Sequence, residues 1–492
     1  MLRVRVSQGC HWPWFCILTA TILLSGLVSA SRSETWFGDV IQTPIPHVPK
    51  DIATGDLTGD LLDDLVYVRA PYAGAKVYRN LGNGHFEYLT TLPDVSVTVD
   101  VGDLNKDGLD DVVSASYSEV KVLIFHNSRP PGVFRPPVEI PTPAVALTVR
   151  VGDLDGDELN DLVVCGVGSL SYIAIYWGTD EGVGSEPDVY ECEMEPAYPC
   201  GGFTFPGETI IADMTGDGLK DVILIASLDE EGCWVIGTAV GLLRNLGNRQ
   251  FTPSVEWVVW ENGYDEFADL SVGDLNGDEL LDFGVVHEEQ LGLQTFINIG
   301  GGVFAEGEGL NTIAGRHLVF EDLNGDERTD LAWSRAAPLA EIAAGDGSGV
   351  LEPVQSLNKS MNDIQAGDLN GNAGLDLVGF YQQVINVFPN ITYLDPSGVG
   401  EPGDAETRLV VTEPWPNPAA DRVFLRLPAG EGRGVEVYDV AGSLLRRLSP
   451  DSEGLVSWDR RLGDGRDAAS GVYYLRVTSA SEAVTRSVLL LK

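Results

Sequence analysis

In the stretch DLNGDELLDFGVV, Asp274 to Val286, side-chain oxygens stand at alternate positions, Asp274, Asn276 and Asp278, and Asp282 follows four residues later. Asp274, Asp278, Glu279, Asp282 and Glu288 crowd one short segment. Like charges that close repel unless a cation sits among them. With the backbone carbonyl of Leu280 at the seventh position, the set consists of hard oxygens, the type Ca²⁺ takes at six- to eight-fold coordination. Gly277, at the fourth position, permits a sharp bend that a side chain would resist. An EF-hand loop needs a Glu at its twelfth position and helices on both sides. Here that position is Val285 and the flanks read as strands, which excludes EF-hand and dockerin alike.

The motif recurs. Reading positions one, three, five, seven and nine, the copies are Asp56, Thr58, Asp60, Leu62, Asp64; Asp103, Asn105, Asp107, Leu109, Asp111; Asp153, Asp155, Asp157, Leu159, Asp161; and Asp213, Thr215, Asp217, Leu219, Asp221. The Asp274 copy is fifth, followed by Asp322, Asn324, Asp326, Arg328, Asp330 and by Asp368, Asn370, Asn372, Gly374, Asp376. Asp, Asn and Gly favour turns in any case. Seven copies in register that all keep the first and ninth acids point instead to a bound ion, up to seven Ca²⁺ in all. The third copy carries the most carboxylate and the seventh the least, so the seventh is expected to bind most weakly.

Something must hold these loops at a regular spacing. Their starts lie 47, 50, 60, 61, 48 and 46 residues apart, the period of a solenoid or propeller. Alternating runs such as ALTVRVGD precede the motif and apolar runs such as LVVCGV follow it, making each copy the turn of a β-hairpin. A third strand comes next (AKVYRN, TFINIG), then a Gly/Asn turn ending in an aromatic (LGNGHF, LGNRQF), and a short fourth strand. Four antiparallel strands per period make one propeller blade. The seventh unit lacks a clear fourth strand, whereas residues 36–49 precede the first motif without a partner and resemble fourth strands elsewhere. That segment is expected to complete the seventh blade and close the ring, leaving no open edge.

The chain has 492 residues and a formal charge of −43. Arg3 and Arg5 precede an apolar run and Val28-Ser29-Ala30 offers a cleavage site, so residues 1–30 read as a secretory signal peptide. Its loss takes the charge to −45, since it carries two Arg and no acid. That balance excludes nucleic acid and anionic membranes as partners, and no later segment is apolar enough to span a bilayer. The mature chain keeps Cys165, Cys192, Cys200 and Cys233; export permits disulfides, Cys192 and Cys200 could close a short loop, and Cys165 lies in an apolar run that suits a buried thiol.

Residues 36 to about 393 resemble the FG-GAP/VCBS repeat family, through GDLNGDELLDF and GDLDGDELNDL. The resemblance implies an all-β, seven-bladed, calcium-binding propeller similar to the head of integrin α subunits, spanning 31–393, and a role in adhesion or ligand binding. Residues 394–407 are rich in Gly, Pro and acids and read as a linker. Residues 408–492 hold about seven short strands, the count of a small Ig-like β-sandwich. PWPNPAADRVFLRLP, VYDVAGSLLRRL, WDRRLGDGRDAASGVYYLRV and TRSVLLLK resemble the type A C-terminal sorting domain of the type IX (Por) secretion system. This implies export through the periplasm and display outside a Gram-negative-type cell.

Two functional readings follow. One is a monomeric, non-enzymatic surface propeller that captures an extracellular glycan or protein. The other is a polysaccharide lyase or dehydratase on the same scaffold, as some such enzymes resemble the repeat family. His47, His85, His126, His287 and His317 are the only histidines of the mature chain, and neither HExxH nor GxSxG occurs. His85 and His126 fall at blade turns and read as exposed. The longer third and fourth periods are the natural place for an elaborated site.

Overall fold

The computed structural model describes residues 35–392 and 422–490, apart from 61, 70–73, 96–97, 117–118, 169–170, 193–201, 231–236, 263–266, 288–291, 308, 311–314, 336–338, 371–373, 427–434, 439–443, 451–454, 463–465, 467, 470 and 479–482. The regular elements are β-strands. Among the described residues no helix is long and apolar enough to cross a membrane.

Up to Phe388 the strands form seven four-stranded antiparallel sheets. Their first strands are Asp51–Gly55, Val99–Gly102, Val145–Gly152, Gly202–Ala212, Phe267–Gly273, Gly315–Glu321 and Asn362–Gly367. Each first strand packs beside the next, and the last packs beside the first, so the circuit is closed. Between successive sheets lies an apolar core. Val68, Val77, Val112 and Phe125 fill the one between sheets one and two; Ile52, Tyr67, Val378 and Phe380 fill the one between sheets seven and one. With a core on each face, the second strands are buried end to end, as in Asp64–Val68 and Asp282–His287. This accounts for their continuous apolar runs.

The seventh sheet takes its outer strand from the other end of the chain. Ile41–Pro44 pairs antiparallel with Val384–Phe388, Ile41 opposite Val387 and Pro44 opposite Val384. Gln42 Nε2 donates to Asn386 Oδ1 at 2.8 Å, and Gln355 Oε1 accepts the backbone N–H groups of Trp36 and Phe37 at 2.8 and 3.0 Å.

In the C-terminal segment, Val423–Arg426 pairs with Leu455–Trp458, and a four-stranded sheet runs in the order Leu444–Leu448, Val435–Tyr438, Gly471–Thr478, Ala483–Leu490. Both sheets contribute to one core around Val437, Leu475 and Trp458, whose ring meets Tyr473 edge-on at 5.3 Å. The signal-peptide and linker readings fall outside the described residues.

Candidate metal loops and the channel mouth

Each repeated motif turns the first strand into the second. The first-position Asp builds the turn by accepting backbone N–H groups: Asp274 Oδ1 takes Gly277 at 2.7 Å and Oδ2 takes Glu279 at 2.8 Å. The fifth-position Asp278 Oδ1 accepts the N–H of Leu280 at 3.0 Å. Gly277 has φ +76°, in keeping with the bend expected at position four, and in the second loop Lys106 takes φ +56° there. A second left-handed residue stands at position six, where Glu158, Glu279 and Glu327 have φ between +65° and +67°.

The ninth-position acids Asp64, Asp111, Asp161, Asp221, Asp282, Asp330 and Asp376 are all 0% exposed. Asp282 Oδ2 accepts the N–H of Leu275 at 2.9 Å and Oδ1 accepts that of Asn298 at 2.7 Å. Asn298 then donates through Nδ2 to the Met214 carbonyl of the preceding sheet and to Leu281 O. Asn80, Asn127, Asn245 and Asn390 do the same in their sheets. Sheets three and six carry Gly178 and Gly345 instead, where a Cβ would lie 2.6 and 2.0 Å from a backbone oxygen. Burial pushes Asp161, Asp221 and Asp282 up to about 6, and Asp64, Asp330 and Asp376 up to about 7, with nearby loop carboxylates adding to the rise.

The third loop gathers its oxygens as a shared cation would require. Carboxylate oxygens of Asp153, Asp155 and Asp161 all lie within 4.8 Å of one another, the spacing open to oxygens sharing one ion at roughly 2.3–2.6 Å. In the first loop the Thr58 hydroxyl acts on the buried Asp64 carboxyl and opposes the rise that burial imposes on it. Asn372 lies outside the described residues.

Two loops also hold a cationic or titratable neighbour not legible from the motif. Arg249, from the turn of sheet four, donates to Asp155 Oδ2 at 2.5 Å and to Asp157 Oδ2 at 3.1 Å, with its guanidinium 5.0 Å from the Trp177 ring centre. His126, expected to be exposed, is instead buried, with Nδ1 2.7 Å from Asp111 Oδ2 and 3.0 Å from Asn105 Nδ2. The buried Asp111 carboxylate draws the ring inward. His85 is exposed as expected. Cys165 is a buried free thiol, whereas Cys200 and Cys233 lie outside the described residues.

A second cluster stands at the other end of the first strands, where they enter the channel. Every sheet contributes one charged side chain: Asp51, Glu208, Asp269, His317 and Asp363 five residues before their motif, Asp100 and Arg150 three before. Five of the seven first strands carry a register shift here, between Ala146 and Thr148, Pro206 and Thr209, Phe267 and Asp269, Gly315 and Leu318, and Asn362 and Ile364. Such bulges re-aim side chains. Asp363 sits in one with φ +55°.

The carboxylates lock sheet to sheet. Asp51 Oδ2 accepts the N–H of Val99 at 2.9 Å, Asp100 Oδ2 that of Val151 at 2.8 Å, Asp269 Oδ2 that of Leu318 at 2.9 Å, and Asp363 Oδ2 that of Ile52 at 3.0 Å. Arg150 pairs with Glu208, and His317 Nδ1 is 3.5 Å from Asp269 Oδ2. Burial disfavours the charged form of His317, yet Asp269 and the surrounding acids outweigh it and raise the imidazole to about 9. Burial first, then the charges of Asp51, Asp269 and Glu208, push Asp363 up to about 8 against the opposing pull of His317. These residues surround a cavity of about 570 Å³.

Residues 56–114 and 103–164 match the FG-GAP-like repeat family, and residues 413–491 match the secretion system C-terminal sorting domain. The chain therefore carries FG-GAP-like repeats and a type IX sorting tail. No curated protein matches it. Among solved structures it is similar to an Agrocybe aegerita lectin that recognises non-reducing terminal N-acetylglucosamine (20% identity, 64% of this chain and 81% of that one, TM-score 0.45). It is also similar to PorZ, a surface component of the type-IX secretion system of Porphyromonas gingivalis (14%, 92% and 61%, 0.45), and to Sqt1 of Saccharomyces cerevisiae (10%, 73% and 99%, 0.43).

Proposed function

We propose that this FG-GAP-repeat propeller, delivered outside the cell by its sorting tail, is a calcium-stabilised module that captures an extracellular ligand. The observation that carries the reading is the cavity of about 570 Å³ lined by the first strands of all seven sheets. A pocket of that volume suits a small ligand or a protruding group of a larger one, and a closed ring holds its walls rigid.

In this reading Ca²⁺ supplies positive charge to the hairpin loops. The side chains at positions one, three, five and nine, with the seventh carbonyl, would hold it. The loops stand at the opposite end of the first strands from the cavity, so an ion held there would fix the turn and, through the ninth Asp and, in five sheets, its Asn partner, the contact between sheets.

The test is a glycan and matrix-protein binding screen with the mature chain, alongside an assay for unsaturated products on acidic polysaccharides. Retained ligand without turnover is expected. Turnover lost on mutating the propeller would favour the lyase. For delivery, truncation near Pro402 should strand the chain in the periplasm of a host with type IX secretion, and surface display in normal amount would overturn the assignment.

A further inference from the structure

One arginine stands where the other sheets place glycine. In the turn that follows the third strand, Gly84, Gly132, Gly302 and Gly349 take φ between +68° and +90°. Each stands two residues before an apolar residue, and at the matching place in sheet four, two before Phe251, stands Arg249, with φ +59°. A side chain is uncommon in that conformation, and where one is held there its surroundings must hold it.

The surroundings are an extra negative charge. Of the seven loops only the third has an acid at position three, Asp155, where the others have Thr or Asn. Arg249 donates Nε to Asp155 Oδ2 at 2.5 Å and Nη2 to Asp157 Oδ2 at 3.1 Å. The turn itself uses the other two oxygens: Asp155 Oδ1 accepts the N–H of Asp157 at 3.1 Å, and Asp157 Oδ1 accepts that of Leu159 at 2.9 Å. Arg249 thus takes the oxygens that the turn leaves over. In the fifth loop the corresponding oxygen, Asp278 Oδ2, takes the neutral Nδ2 of Asn276 at 3.0 Å, and sheet six presents Gly349, whose N–H goes to Leu275 O at 2.9 Å. The planar guanidinium suits two carboxylates at once, and the Trp177 ring, 5.0 Å away, steadies it.

The same oxygens belong to the converging set of Asp153, Asp155 and Asp161. An ion shared by that set would meet the guanidinium on Asp155, and two cations on one carboxylate repel. We infer that Arg249 is a tethered counter-ion that competes with calcium for the third loop, so the loop richest in carboxylate binds calcium more weakly than its charge count implies. At low calcium the arginine ties the turn of sheet four to the loop of sheet three; at high calcium the ion takes its place on Asp155. This rests on the reading that the loops hold calcium and names the residue that sets the affinity of one of them.

The experiment is calcium titration of the full mature chain in competition with a chromophoric chelator. Arg249→Gln should tighten one calcium ion per chain by roughly tenfold or more, the scale of a lost charged hydrogen bond, and leave the others as they are. Arg249→Lys, which keeps the charge without the fork, should stay nearer the parent. Combined with Asp155→Asn, Arg249→Gln should gain less than it does alone, as for two groups that act on each other. Lys359→Gln removes the same charge from an exposed connection between sheets six and seven and should change nothing. Parent-like affinity in Arg249→Gln, an equal gain in Lys359→Gln, or an undiminished gain beside Asp155→Asn overturns the inference, and calcium binding by the parent then leaves the proposed role of the loops standing. Absence of calcium binding in the parent and every variant overturns that role and this inference together.

Discussion

Asn298 reaches across to Met214, 84 residues earlier in the chain, donating Nδ2 to its carbonyl at 2.8 Å while its own N–H is held by Asp282. One side chain thus ties a hairpin loop to the neighbouring sheet. Asn298→Ala would leave the Met214 and Leu281 carbonyls buried without that donor, a cost of about 1–3 kcal/mol. Leu246→Ser, 58% exposed on a turn, should stay within about 0.5 kcal/mol. Denaturant unfolding of both variants checks this, and equal midpoints would refute it.

Chelation should lower the melting temperature by many degrees and millimolar Ca²⁺ should restore it, because ions bound only by the folded chain stabilise it by mass action. An unchanged melt in excess chelator would mean the loops are plain turns. Asp157→Ala should cost more than Asn372→Ala.

Arg249 already places positive charge on Asp155 and Asp157. Arg249→Gln should therefore deepen the loss of stability in chelator, since those carboxylates then face each other with neither cation present. The readout is the difference in melting temperature with and without Ca²⁺, compared with the parent; no increase in that difference would count against the pairing.

Deleting residues 31–49 removes the strand that covers Val384–Phe388 and leaves a bare edge. The truncated chain should unfold early or aggregate. A soluble, monomeric truncation with the parent's melting temperature would contradict this.

Acidity should act in an unusual direction on the calcium-free chain. Asp363, near 8 when folded and near 4 when unfolded, keeps a proton that unfolding releases, so its effect on stability worsens as pH rises from 4 through 8. His317, raised to about 9, contributes stability that is complete below about 6.5 and lost as pH rises through 9. The groups acting on Asp363 are His317, Asp51, Asp269 and Glu208. In chelator the melting temperature should fall from pH 6 to pH 9, and Asp363→Asn should flatten the slope. A rise over that range would show the opposite sign.

The loops were legible because their chemistry is local: nine residues carry the turn-forming acids and the apolar residues that follow. Ile41–Pro44 could be placed because the seventh unit lacked an outer strand. The Asn ties were not legible, since the distance from the ninth Asp varies, 16 residues to Asn298, 24 to Asn245 and 14 to Asn390. The channel acids were hidden for another reason. Their offset from the motif is not constant, five residues for Asp51 and Asp363 and three for Asp100, so no fixed position in the repeat marks them. His126 was misjudged because nothing near it in sequence shows that Asp111, 15 residues away, faces it.

The pairing of Ile41 with Val387 sets the order in which the chain can finish folding. These partners are separated by nearly the whole propeller, and contacts between distant residues must bear loop-closure entropy before they gain anything. The closing sheet can form only after synthesis has reached its final strand, so until then the ring remains open and its apolar faces unmatched. A chain that crosses the inner membrane before that contact is made would complete its circle on the far side.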